Sequence, residues 1–156
     1  MNKSEIWKNY RFPIILLSGI MIGAVIGVIF GEKAKVAGLQ NVESMLVEPD
    51  FDFGDMGLNV IVSAMAMHHI EDPKKQFAKF SKALKSGGML AIADLAKEDG
   101  SFHADNNGVY HFGFSPDELK AFYIENGFLE PVILVAHTVK KADRGYDILL
   151  SFARKR

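Results

Sequence analysis

The stretch from Ser63 to Leu95 reads SAMAMHHIEDPKKQFAKFSKALKSGGMLAIADL, and it decides the fold. In order, it predicts the end of a strand, a helix, a glycine turn and a second strand. Asp72 and Pro73 are favoured residues for a helix start, and Gly87 and Gly88 are favoured at its end. Met89–Asp94 is an apolar run typical of a parallel strand covered on both faces. The order predicts the middle of a parallel α/β domain that binds a cofactor.

Both flanks extend the α/β pattern. Upstream, Leu58–Ser63 is a second continuous apolar strand, and Asn41–Glu48 predicts an earlier one. Downstream, Ser115 opens a capping box for a helix that ends at Gly127. The last two predicted strands, joined by a charged turn and therefore antiparallel, are Pro131–Val139 and Tyr146–Ala153. The prediction is a mostly parallel, Rossmann-like sheet with an antiparallel last strand pair.

Composition sets few further limits. The chain has 156 residues, with 18 basic and 19 acidic side chains, so nothing indicates a nucleic-acid partner. Cysteine is absent, which excludes disulfides and thiolate-bound zinc.

The N-terminal segment differs from the rest because Phe12–Phe30 carries no charge. As a helix this run would be about 28 Å long, close to the hydrocarbon thickness of a bilayer. Glycines recur in it at every fourth residue, a spacing that lets two membrane helices pack closely. The pattern predicts a transmembrane helix over 12–30, with membrane insertion and a helix–helix dimer as its consequences. The alternatives are a signal peptide, a buried helix, or a strand at Ile14–Ser18 followed by a helix at Ile20–Phe30.

Four motifs carry a resemblance to a known family: IVSAMAMHHIEDP, LKSGGMLAIADL, EDGSFHADNNGVYHFGF and SPDELKAFYIENGF. Residues 37–156 resemble the second half of a class I S-adenosylmethionine-dependent methyltransferase. Residues 1–36 resemble the first transmembrane segment of dicarboxylate and amino-acid symporters. Two segments are therefore expected, a membrane-like piece over 1–36 and part of a methyltransferase domain over 37–156.

The resemblance implies S-adenosylmethionine as the cofactor and a small molecule as the methyl acceptor. The glycine-rich loop that normally follows the first strand of such domains is not found. We therefore expect a truncated or chimeric chain with impaired cofactor binding and an unpaired edge at Leu58–Ser63. The alternative is a membrane-tethered fusion without enzymatic function. Location follows the same choice: membrane-associated if 12–30 inserts, otherwise cytoplasmic.

Candidate site residues lie at the predicted strand ends and in the long loop after Asp94. The resemblance implies cofactor contacts for Glu48, Asp50, Ser63, Ala64, Met65 and His68. The catalytic candidates are Asp94 and His68, as a base or an orienting group. The acceptor candidates are His103, His111 and Phe112. We expect at most one of the neighbouring His68 and His69 to face the cleft. We also favour no metal, since the spacing of His68, His103 and His111 is no recognised ligand pattern.

Overall fold

The structure is a computed structural model that describes residues 14–17, 36–38 and 51–156. Its elements are β1 (Ile14–Leu17), β2 (Leu58–Ala64), a 3₁₀ turn (Met67–His69), α1 (Pro73–Ala83), β3 (Leu84–Leu95), α2 (Pro116–Glu125), β4 (Phe128–Lys141) and β5 (Arg144–Lys155). The five strands form one sheet in the order β1-β2-β3-β5-β4.

Pairing within the sheet confirms the prediction for its centre and its last strand pair. β2 and β3 are parallel neighbours, with Val60 opposite Met89 and Ala64 opposite Ala93. β5 is antiparallel to both β3 and β4. The carboxyl ends of β2 and β3 therefore meet at one edge of the sheet, which is where open α/β sheets bind ligands.

Both helices begin as the sequence predicts. The Asp72 side chain caps α1 by accepting from the Lys75 N–H, and Ser115 and Glu118 form the predicted capping box of α2. Phe77 and Phe80 of α1 pack in one core with Tyr123 of α2 and Leu90 of the sheet. The two helices therefore pack on the sheet through one shared hydrophobic core.

The end of α1 differs from the prediction. The helix stops at Ala83, and both Gly87 and Gly88 lie inside β3. A Cβ at Gly88 would lie 2.9 Å from the Lys85 carbonyl oxygen and 3.0 Å from that of Leu58. This glycine therefore serves the close approach of β3 to β2 rather than the helix end.

The N-terminal prediction is wrong at Ile14–Leu17, because these residues form a strand instead of part of a transmembrane helix. β1 runs parallel to β2, with Ile14 opposite Val60 and Leu17 opposite Ser63. The expected unpaired edge at β2 is therefore wrong as well. A short apolar run rich in isoleucine fits a buried parallel strand as well as a helix, and only its pairing partner decides between them.

The other N-terminal predictions lie mostly outside the described residues, namely the rest of 12–30, the Ile20–Phe30 helix and the Asn41–Glu48 strand. Among the residues that the structure describes, no helix is long and apolar enough to cross a bilayer.

Candidate active site

Asp94 lies at the carboxyl end of β3 and is almost completely buried. Its Oδ2 accepts hydrogen bonds from the backbone N–H groups of Ala66 (3.1 Å) and Met67 (2.8 Å). Its Oδ1 accepts from its own neighbour, the Leu95 N–H, at 2.8 Å. The carboxylate therefore fixes the turn that follows β2 against the tip of β3.

His68 is the remaining partner of Asp94. Its Nδ1 lies 2.5 Å from Asp94 Oδ1, and its side chain is fully buried. A carboxylate can only accept here, so the proton of this hydrogen bond lies on Nδ1 of His68. The His68 carbonyl oxygen accepts from the N–H groups of Tyr110 and His111, both at 3.1 Å. His68 thus joins both strand tips to the long loop.

Two further histidines complete a cluster around His68. His103 Nε2 lies 3.1 Å from His68 Nε2. The rings of His68 and His69 are 4.1 Å apart between centroids, and those of His69 and His103 are 5.4 Å apart. The expectation that only one of the neighbouring pair faces this side is therefore wrong. The 3₁₀ turn brings both rings to the same side, whereas an extended strand would separate them.

His103 lies in a partly buried position. Burial lowers the pKa of its imidazole, and the nearby His68, His69 and Lys141 lower it further. The neutral form of this ring is therefore favoured.

The loop that carries His103 is held by the β4–β5 hairpin. Lys141 Nζ donates to the Phe102 carbonyl oxygen at 2.6 Å and lies 3.6 Å from the centre of the Phe102 ring. Arg144 donates to the Ser101 Oγ at 2.7 Å and forms an ion pair with Asp99 at 2.9 Å. Sequence reasoning did not assign these two cations a role, because only the folded hairpin brings its turn to the loop.

The tip of β2 shows two features that ordinary core packing does not require. Ser63 is fully buried, and its Oγ has no hydrogen-bond partner among the described residues. Met65 has a positive φ of 50°, which is uncommon for a residue other than glycine. Orphaned polar atoms and strained backbone both concentrate at functional sites. The predicted residues Ser63, Ala64 and Met65 lie at the end of β2, just before the turn that carries His68, and these two features make this tip a candidate ligand site.

The remaining predicted residues lie elsewhere. His111 Nε2 donates to the Glu71 carbonyl oxygen at 3.2 Å, so its ring is engaged outside the cluster. Phe112 is 42% exposed and packs beside Gly100. Glu48 and Asp50 fall outside the described residues.

A family model described as a methyltransferase domain matches residues 27–92. An uncharacterised methyltransferase of Schizosaccharomyces pombe is 38% identical over 69 residues. That alignment covers 39% of this chain and 24% of the relative, so the chain matches about a quarter of the relative's length.

Solved structures of methyltransferases share the fold. Phosphoethanolamine N-methyltransferase 2 of Haemonchus contortus, in complex with S-adenosylmethionine, superposes with a TM-score of 0.67 at 13% identity. That match covers 94% of this chain and 49% of the other. A geranyl diphosphate methyltransferase, also with S-adenosylmethionine, gives a TM-score of 0.66 at 12% identity, over 90% of this chain and 68% of the other.

Together these findings show that the chain is similar to methyltransferases, in sequence over residues 27–92 and in fold over nine tenths of the chain. The family match begins at residue 27, inside the apolar segment, and the structural matches cover nine tenths of the chain or more. The comparisons do not support the symporter resemblance, the membrane fusion or the expected impairment.

Proposed function

We propose that this chain transfers a methyl group from S-adenosylmethionine to a small-molecule acceptor. The observation that carries the proposal is the buried Asp94–His68 pair, which joins the tips of the two central strands of a methyltransferase-type sheet. The carboxylate fixes the orientation and the tautomer of this histidine at the edge where open α/β sheets bind ligands, as a catalytic histidine requires. Core packing alone does not require such a buried polar pair.

The cofactor side of the site is assigned to the tip of β2. S-adenosylmethionine supplies an electrophilic methyl group on a sulfonium. Ser63 offers a hydroxyl without a partner among the described residues, and the turn at Ala64 and Met65 offers backbone polar groups. His68 lies immediately after this tip, between cofactor and acceptor.

The acceptor side is assigned to the histidine cluster and the loop that follows it. As the new bond to carbon forms, the sulfonium–methyl bond breaks, the thioether leaves and the acceptor heteroatom gives up its proton. His103 and His69 are half-buried and stand at the open side of the cluster, where they orient the heteroatom and receive that proton. Asp94 acts through His68 as a positioning residue. His111 and Phe112 remain candidates for acceptor contacts at the outer part of the loop.

The reasons for expecting a defective domain are weaker once β1 is present. β2 has a parallel neighbour on each side, so it is a central strand whose carboxyl end is supported by both neighbours. The segment after Leu17 is also where a cofactor loop would follow the first strand. We therefore propose that the chain binds S-adenosylmethionine. This proposal replaces the expectation of impaired cofactor binding that the sequence had suggested.

Isothermal titration of the full chain with S-adenosylmethionine tests the proposal, with a dissociation constant in the micromolar range as the expected result. Ser63→Ala should weaken binding about tenfold, since one hydrogen bond to a ligand contributes about 1.4 kcal/mol in such a change. Ser151→Ala is the matched control. Ser151 is an equally buried strand serine, but its Oγ donates to the Ile92 carbonyl oxygen at 3.3 Å.

The two serine variants should behave oppositely. Ser63→Ala should leave the free energy of unfolding nearly unchanged and reduce cofactor affinity. Ser151→Ala should cost about 1 kcal/mol of stability and leave affinity unchanged. Binding no tighter than millimolar by the folded wild-type chain would refute the proposed function.

A further inference from the structure

The three histidines of the cluster have the geometry of a metal site. His68, His69 and His103 each offer a ring nitrogen, and these nitrogens all lie within 4.8 Å of one another. Ligands of one tetrahedral zinc ion stand about 3.3 Å apart, because each zinc–nitrogen bond is about 2.0–2.1 Å long. The 3.1 Å between the Nε2 atoms of His68 and His103 is close to that spacing.

Hydrogen bonds on the far side of two rings select the nitrogens that a metal needs. Asp94 Oδ1 lies 2.5 Å from the Nδ1 of His68, and the Gly108 carbonyl oxygen lies 2.8 Å from the Nδ1 of His69. Both Nδ1 atoms therefore donate a proton, which leaves Nε2 as the nitrogen that a metal would use in each ring. Metal-binding histidines in proteins nearly always donate their other N–H to a carboxylate or a backbone carbonyl. Both kinds of partner are present here.

We infer that His68, His69 and His103 hold one divalent transition-metal ion of the zinc class. Three neutral imidazoles suit zinc, cobalt or nickel, while magnesium and calcium require oxygen ligands. On metal binding, the ring proton of His103 would move through solvent from Nε2 to Nδ1, so that the Nε2 atoms of His68 and His103 can both bind the metal as neutral imidazoles. The Asp94 carboxylate, one bond away, partly balances the added positive charge.

The ligand set leaves room for a fourth partner. Three protein ligands with an open fourth position are the pattern of catalytic zinc sites, whereas structural sites are closed by four. His69 and His103 are half-buried, so the open position faces the outer side of the cluster. Resting here on the proposed function, we assign this position to the acceptor heteroatom, a thiol or hydroxyl whose pKa the metal lowers. With the metal bound, the acceptor would release its proton to solvent water, because His69 and His103 would then be metal ligands and no longer free bases.

Cobalt(II) titration of the full chain, without S-adenosylmethionine, tests the site directly. We expect one equivalent to bind with the intense visible absorption of tetrahedral cobalt, and zinc to displace it. His69→Gln and His103→Gln should each weaken cobalt binding at least tenfold. His137→Gln, an exposed histidine on β4, should leave it unchanged. His111→Gln should also have no effect, since its ring is bonded to the Glu71 carbonyl oxygen.

Several outcomes would overturn the inference: no stoichiometric binding, an octahedral spectrum, or equal loss with His137→Gln. Should the cluster variants fail to fold, the wild-type chain still decides, because cobalt must shift the ring resonances of three histidines by proton NMR. Adding a simple thiol to the cobalt form should produce a thiolate-to-cobalt charge-transfer band if the fourth position is open. Metal binding without cofactor binding would remove the proposed function and keep the site. Cofactor binding without metal binding would keep the proposed function and remove the metal site.

Discussion

At the scale of single residues, the Asp94 carboxylate accepts every hydrogen bond that reaches it, from three backbone N–H groups and one imidazole. In Asp94→Asn an amide NH₂ replaces one oxygen, so it must face donors whichever way it turns. Each buried donor left unsatisfied costs about 1–3 kcal/mol. We expect urea denaturation to show a loss in that range or above it, and metal affinity to fall about 10–100-fold.

The control for this variant is Asp55→Asn, which changes an exposed carboxyl group. It should leave the denaturation midpoint in place. Equal stability of Asp94→Asn and wild type would show that the carboxylate does not hold the turn after β2.

Tyr123 provides a second test at this scale. Its ring is fully buried in the core, and its hydroxyl donates to the Ser151 carbonyl oxygen at 3.0 Å. Burial raises the pKa of this phenol well above its usual value, so the hydroxyl stays protonated as a donor. Tyr123→Phe should cost about 1 kcal/mol in thermal or urea unfolding. Tyr110→Phe, at a tyrosine that is 54% exposed, should cost nothing measurable. Similar values for both would mean that the buried bond adds no stability.

The sequence predicted which residues lie at the strand tips but not how they combine. Asp94 was a candidate because it ends an apolar run, and His68 was a candidate because the family resemblance implied it. Their bond depends on the register that sets Ala64 opposite Ala93, and no local pattern encodes a register between strands. His69 was passed over because two successive residues were assumed to point apart, which holds for strands and fails in a 3₁₀ turn.

At the scale of elements, the loop between β3 and α2 depends on one close backbone approach. Gly113 has a φ of +72°, and a Cβ there would lie 2.2 Å from the Ala96 carbonyl oxygen. This position adjoins the parallel bridge between Ala96 and Phe114, which returns the loop to the sheet. Gly113→Ala should therefore destabilise the fold by about 2–5 kcal/mol, from backbone strain and steric overlap together.

Gly108→Ala separates the two contributions. Gly108 has a similar φ of +76°, but a Cβ there would meet nothing within 4 Å. Its alanine variant should lose only the strain, about 1–2 kcal/mol, by denaturant unfolding. If the two variants lose the same amount, the close approach at Gly113 has no energetic weight.

Element starts were predicted better than element ends. The caps at Asp72 and Ser115 are local chemistry, because a side chain bonds the backbone three residues later. The end of α1 was placed too late because the glycine pair suggested a helix stop. Gly88 instead serves a tertiary contact, because it lies against the backbone of β2 at Leu58. A contact between residues 30 positions apart leaves no signal in the local sequence.

At the scale of the whole molecule, the N-terminal segment was the least predictable part. Charge-free length favoured a membrane helix, while the partner that makes Ile14–Leu17 a strand lies more than forty residues away at β2. The places of the other four strands along the chain, and the antiparallel pairing of the last two, followed from apolar runs and turn chemistry. The pairing of a short apolar run is a long-range property, so its period alone could not decide between helix and strand.

Hydrogen exchange on the full chain, in water without detergent, tests this arrangement. β2 lies between β1 and β3, so the N–H groups in its middle point alternately toward one paired strand and the other. All of these amides should therefore exchange slowly. β4 serves as the internal reference. Among the described strands it pairs only with β5, so its amides facing away from β5 should exchange fast in alternation with protected ones. The same alternation along Val60–Ser63 would show that β2 is an edge and that Ile14–Leu17 is not paired with it. Uniform protection there would show that β2 has a paired strand on both sides, as its pairing with Ile14–Leu17 requires.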